Sequence, residues 1–212
     1  MSGEQLMKRV KINNVGLLDE MYDKRKCVII IMGHCGNREW ASPIIAFYTK
    51  HRCYGMAKPL SDPFFEKYMM RLRTKFIPDS IVHFKRVFRM MVQNKENLSA
   101  YLMAGDQTPT RSEINYLTTF LNQETAVFSG AEKIAKTLNL PVVYLDTRRT
   151  GRMRYEVTLS LISDAPKETA EFEITEKHVR LLENSIRLHP ENWFWSHKRW
   201  KHKRSDIETI EN

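Results

Sequence analysis

No stretch of this 212-residue chain approaches the roughly 20 consecutive apolar residues of a membrane-spanning helix, and the first thirty residues lack the pattern of a signal peptide. Cysteine is scarce: Cys27, Cys35 and Cys53 are odd in number and show no metal-ligand spacing, so reduced cytosolic thiols are expected and neither a metal nor a cofactor is called for. No internal repeat, low-complexity tract or Pro/Gly-rich linker divides the chain. A single domain over residues 1–212 is therefore the simplest organisation. Acidic residues are also in deficit, 25 against 34 Lys and Arg, for a net charge of +9. That balance favours polyanionic partners, whether nucleic acid, anionic headgroups, phosphorylated substrates or an acidic carrier protein, without choosing among them. With 42% hydrophobic and 28% charged residues, the composition is that of an ordinary globular protein able to bury a core, not a disordered one.

What the chain does have is concentrated in residues 27–40, CVIIIMGHCGNREW. The run Val28–Met32 is short, apolar and β-branched, as in a buried strand of an α/β sheet. It delivers His34 into a loop bracketed by Gly33 and Gly36, at the carboxyl end of the strand, where ligands of such sheets bind. Glu39 follows five positions later. Five residues turn through about 500° on a helix, so the pair cannot share one helical face. They can meet if His34 stays in the loop and Glu39 enters the first turn of the next helix. A carboxylate there would hold one imidazole nitrogen and leave the other free to take a proton, which makes His34 a candidate general base. Adjacent side chains in extended backbone point apart, which argues against a Cys35–His34 nucleophilic pair.

Beyond this stretch, helices are expected over Trp40–Lys50, from Asp62-Pro63 onward, and over Phe84–Glu96, Ala131–Leu138 and Glu176–Leu188. Strands are expected over Arg52–Ala57, Leu98–Ala104 and Val142–Asp146, with Tyr155–Ile162 as a hairpin partner after a turn at Thr147–Arg152. The first 26 residues show no strong period. The alternation predicts an α/β fold, with a central mixed β-sheet flanked by helices. Phe64, Phe65, Tyr68, Met69 and Leu72 form an apolar stripe read mostly as core. Asp106 ends an apolar strand just as His34 does, and two such residues in one sheet can converge on a cleft, although Asp106 serves equally as a turn cap before Thr108-Pro109. Arg71 and Arg73 either complement a helix C-terminus or grip a phosphate or a developing oxyanion. Three of the four tryptophans lie among basic residues in 193–204, WFWSHKRWKHKR. On a helix, Trp193, His197 and Trp200 would line one side. The segment reads as rings packed on the body, a membrane-interface anchor or a nucleic-acid tail.

Taken together, Gly33-His34-x-Gly36-Asn37-x-Glu39, Lys58-Pro59 with Asp62-Pro63, Arg71-x-Arg73, Gly105-Asp106-Gln107, Phe128-x-Gly130 and Pro190-Glu191-Asn192-Trp193-Phe194-Trp195-x-His197-x-Arg199-Trp200-Lys201 resemble the bacterial lipid A late acyltransferases. The resemblance runs from about residue 27 to residue 204 in order and approximate spacing. It implies a glycerol-phosphate-acyltransferase-like α/β fold and an enzyme at the cytoplasmic face of the bacterial inner membrane. It also implies the catalytic pair His34 and Glu39, substrate or oxyanion contacts from Lys58, Arg71, Arg73 and Asp106, and headgroup contacts from Trp193, Trp195, Lys198, Arg199, Trp200 and Lys201. The implied donor is acyl–acyl carrier protein, and the implied acceptor is a hydroxyl of an anionic lipid A precursor. Arg38 stands where the family usually has Trp before the glutamate, and Lys58 replaces an arginine, losing bidentate geometry. The hydrophobic helix with which family members begin is missing, so a truncated, peripherally attached member is expected. Rival readings are acylation of another lipid (a mannosylated phosphatidylinositol or an aminolipid), an inactive lipid- or carrier-binding fragment, and a basic nucleic-acid-binding module. No recognised nucleic-acid motif supports the last.

Overall fold

The structure, a computed structural model, describes residues 1–202 and 204. Its elements in chain order are α1 (Gly3–Met7), β1 (Val10–Asn13), α2 (Gly16–Asp23), β2 (Val28–Met32), α3 (Arg38–Tyr48), β3 (Arg52–Ala57), α4 (Pro63–Arg73), β4 (Ile81–His83), α5 (Val87–Gln93), β5 (Ser99–Ala104), β6 (Leu117–Phe120), β7 (Gln123–Ala126), α6 (Gly130–Leu138), β8 (Val142–Gly151), β9 (Arg154–Ser163) and α7 (Glu173–Leu188), with short 3₁₀ turns between some of them. Seven strands form one mixed sheet in the order β1-β9-β8-β2-β5-β3-β4. Only the β8–β9 hairpin is antiparallel within it, while β2 lies between β5 and β8, parallel to both. β6 and β7 make a separate hairpin.

Every residue of β2 is buried because helices cover both faces of the sheet. Side chains alternate across a strand, so Val28, Ile30 and Met32 join Leu6, Leu18, Ile44 and Ile45 on one side. Ile29 and Ile31 join Tyr101, Met103, Ile174, Val179 and Leu182 on the other. The α/β class with a central mixed sheet is as expected, in one compact domain.

The differences are local. Residues 3–23, which carry no clear period, fold into α1, β1 and α2 because partners distant in sequence complete them: β1 pairs in parallel with β9 from Val10 against Tyr155. The expected turn at Thr147–Arg152 is mostly strand, since β8 runs on to Gly151 and the chain reverses at Arg152-Met153. The segment from Phe84 begins as a 3₁₀ turn before α5. Pro43 sits inside α3 rather than at its start, where it has no N–H to offer the Glu39 carbonyl. Most important, the stripe on α4 is not core. Asp62 caps that helix by accepting from the N–H groups of Phe64 and Phe65, yet α4 buries no residue, and Phe64, Phe65, Tyr68 and Leu72 are exposed. Among the described residues, no helix is long and apolar enough to cross a membrane.

Candidate active site

The register of two parallel strands builds the site. Met32 of β2 pairs with Ala104 of β5, so His34 and Asp106 lie the same two residues beyond adjacent strand ends. The carboxylate of Asp106, only 3% exposed, takes hold of both the backbone and the ring of His34. Its Oδ2 accepts from the His34 N–H at 2.8 Å, and its Oδ1 makes a close hydrogen-bond contact with Nδ1. The Trp193 indole Nε1–H donates to the same Oδ2 at 2.9 Å. Burial alone would push this carboxyl's pKa up, but the hydrogen bonds and charge of His34, with the indole, carry it below the ordinary value. Asp106 is therefore an ionised carboxylate beneath a histidine whose side chain is 13% exposed. Nε2 of that histidine has no hydrogen-bond partner among the described residues, so the outer nitrogen is free to exchange a proton.

Two glycines make the geometry possible. Gly36 adopts φ +56°, favoured by glycine, and a Cβ there would lie 2.9 Å from Thr147 Cγ2. Its N–H donates to the Asn192 carbonyl at 2.8 Å, which clamps the His34 loop to the Pro190–Asn192 turn. A Cβ on Gly105 would stand 2.7 Å from His178 Cε1. His178 is itself fully packed, and burial drives its pKa down to about 4, so the ring is neutral near pH 7.

Glu39 does enter the first turn of α3, as expected, but it does not hydrogen-bond to His34. The Arg73 fork, at the end of α4, holds it with Nε and Nη2 each donating at 2.9 Å, and Arg38 Nε adds a contact at 3.3 Å. Burial opposes the charge on Glu39, yet these cations hold its pKa below the usual value. The carboxylate held against the His34 ring is thus Asp106. The physical reason is position: Asp106 arrives on the neighbouring strand, while Glu39 rotates away with its helix. Of the two candidate arginines, Arg73 is the one that pairs with Glu39. Arg71 is exposed, without a hydrogen bond or ion pair among the described residues, and Lys58 is exposed beyond β3.

Nor is the aromatic, basic end a helix with a free face. After Pro190–Asn192 it runs irregularly across the β6–β7 hairpin and the Asp106 loop. Trp193 packs edge-on to Phe120, and Trp200 stacks on the same ring, half-buried. Arg199, 2% exposed, donates from Nη1 to Thr125 Oγ1 and the Ala126 carbonyl, and stands 5.6 Å from the Phe120 centroid. Trp193 and Arg199 are therefore interior, and Trp200 is only partly covered. Trp195, Lys198 and Lys201 remain exposed, while Lys203 lies outside the described residues. The segment also supplies His197, whose Nε2 accepts from the Thr108 N–H at 3.0 Å and so fixes the loop that carries Asp106.

Sequence reasoning missed Trp193 as the partner of Asp106 and His197 as the anchor of Thr108. The equal spacing of His34 and Asp106 from their strand ends was a usable signal for the contact between those two, but nothing local announced Trp193 or His197 as partners of the Asp106 loop. Cys35 beside His34 is buried, and its pKa is pushed up to about 12 by burial and by the charges of Asp106 and Asp146, so it offers no thiolate. Among the described residues, no group of His, Cys, Asp and Glu could hold a metal ion.

A family model described as bacterial lipid A biosynthesis acyltransferase matches residues 1–202. A comparison with curated proteins finds no match.

Proposed function

This chain belongs to the bacterial lipid A biosynthesis acyltransferases, enzymes that transfer acyl groups in the assembly of lipid A, and we propose that His34, oriented by Asp106, is its general base. One observation carries the reading: a buried, ionised carboxylate engages Nδ1 while Nε2 is left without a partner.

In the proposed step, Nε2 takes the proton of an acceptor hydroxyl as that oxygen attacks the thioester carbonyl of an acyl donor. The tetrahedral oxyanion collapses, the C–S bond breaks, and the imidazolium returns the proton to the leaving thiolate. The developing positive charge on His34 is met by Asp106, and the developing oxyanion by loop N–H groups or by Arg73, whose Nη1 is not used by Glu39. Glu39 then acts on Arg73 rather than on His34. The donor we propose is acyl–acyl carrier protein, and the acceptor a hydroxyl on the acyl chain of a lipid A precursor, reached from the cytoplasmic face of the inner membrane. Both substrates are acidic, which suits a chain of net charge +9.

Incubation with acyl–acyl carrier protein and lipid A precursor, read by mass spectrometry of the lipid product, tests this. His34→Ala should lower turnover by about a hundredfold to ten-thousandfold. Near wild-type transfer by that variant would remove His34 from the chemistry.

A further inference from the structure

Residues 58–92 carry eight Lys and Arg against three Asp and Glu, and they hold the largest group of exposed apolar side chains in the described chain. On α4, Phe64, Tyr68 and Leu72 recur at every fourth position along one face, with Phe65 against Phe64 at 5.7 Å between ring centroids. Phe64 is 75% exposed. Beside this stripe runs a second, basic one, Lys67 and Arg71, at the same spacing. The segment leading through α5 repeats the arrangement, with exposed Phe84, Phe88 and Val92 and, one position on from the first two, Lys85 and Arg89. The two segments line a common cleft of about 710 Å³, α4 through Glu66 and Met70 and the α5 segment through Arg86, Arg89 and Met90, so the stripe of Phe64, Tyr68 and Leu72 lies on the side of α4 turned away from that cleft.

A helix with an aromatic stripe that buries none of its residues has left its apolar surface unpaid by folding. Two of the acidic side chains are already engaged. Asp62 accepts from the backbone N–H groups of Phe64 and Phe65, and Glu66 accepts from that of Leu60 at 2.8 Å. Lys58, Lys67, Arg71, Lys75, Lys85, Arg86 and Arg89 are exposed against exposed Asp62 and Asp79, so the outward charge of the segment is net basic.

We propose that the exposed face of α4 is a docking surface for an anionic lipid bilayer, with Phe64, Phe65, Tyr68 and Leu72 entering the headgroup–acyl boundary and the flanking Lys67 and Arg71 pairing with lipid phosphates. Adjacent apolar and basic stripes on short helices match a surface whose charged and apolar layers lie at different depths. The pairing of Arg73 with Glu39, at the last residue of α4, ties this face to the start of α3 just beyond the His34 loop. A docked protein would therefore hold its site beside the bilayer that contains a lipid acceptor. This deepens the lipid-acceptor reading above and rests on it.

The test is sedimentation of the full chain with vesicles of phosphatidylcholine plus phosphatidylglycerol, against vesicles of phosphatidylcholine alone, for the wild type and for a variant combining Phe64→Ser, Phe65→Ser, Tyr68→Ser and Lys67→Gln. All four side chains are exposed, so the fold is expected to survive, as circular dichroism would verify. The wild type should partition to the anionic vesicles, and the variant about tenfold or more weaker, while the variant's transfer to a detergent-dispersed acceptor matches that of the wild type. Equal sedimentation of variant and wild type would overturn the proposal, as would failure of the wild type to bind anionic vesicles. So would loss in the variant of carrier-protein binding or self-association with vesicle binding intact. Absence of transfer by the wild type in detergent, with vesicle binding still lost in the variant, would leave the docking face standing and count against the enzymatic reading alone.

Discussion

Asp106 receives two N–H donors at one oxygen and an imidazole at the other, and the three together decide its protonation. A neutral isostere tests this directly. Asp106→Asn keeps the volume but removes the charge that steadies a protonated His34, and its amide presents a donor where the ring needs an acceptor. Turnover is expected to fall by about a hundredfold or more with a much smaller change in KM, measured in the same transfer assay. A variant with unchanged turnover would reduce Asp106 to a turn cap, the alternative that the sequence leaves open. At this scale the residue types were legible and the pairing was not. Both His34 and a nearby acid could be picked from the loop, but which acid depends on whether a side chain arrives on an adjacent strand or leaves on a helix.

Elements set the site through their ends. β2 and β5 deliver His34 and Asp106 in register, and the last turn of α7's first half places His178 under Gly105, where even a methyl group would lie 2.7 Å from the ring. Gly105→Ala must push a packed imidazole or lift the loop. We expect a loss of about 1–3 kcal/mol in stability by denaturant unfolding, together with reduced turnover because Asp106 is the next residue. Stability and turnover both like the wild type would show that the loop has slack. The strand positions β2, β3, β5 and the start of β8 could be read from apolar runs and β-branched content. The β6–β7 hairpin and β1 could not, because short edge and satellite strands depend on partners far away in sequence. The apolar stripe of α4 shows the opposite failure: periodicity identified the helix and its apolar face, but periodicity cannot say what covers a face.

For the molecule as a whole, buried titratable groups predict how it fails in acid. His178 is neutral in the fold with a pKa near 4, against about 6.5 in the unfolded chain, so between these values the unfolded state binds more protons. Stability should thus be full above about pH 6.5 and decline as pH falls towards 4, by up to roughly 3 kcal/mol from this residue. Asp106, held below its usual range, adds a further loss below about pH 4 as it is protonated. Urea unfolding at pH 7 and pH 4.5 measures the first effect. His178→Leu should flatten the slope in that window, and an unchanged slope would mean that His178 is hydrated or paired in solution. The basic excess, read at first only as a preference for polyanions, includes eight Lys and Arg against three Asp and Glu in residues 58–92, beside the exposed apolar stripe of α4. That location turns a general electrostatic bias into a specific surface.

Apolar runs, glycine-bracketed loops and the closing Pro-Glu-Asn-Trp-Phe-Trp segment were enough to determine an α/β chain, a histidine at a strand end and the acyltransferase family, because each is a local pattern written in consecutive residues. Tertiary structure alone decided that Asp106 rather than Glu39 holds His34, that Trp193 and Arg199 are interior, and that the aromatic residues of α4 face outward. Those outcomes rest on strand order, on the rotation of α3 and on which faces find a partner. Such quantities are set by contacts between residues far apart in the chain, and no window along the sequence contains them.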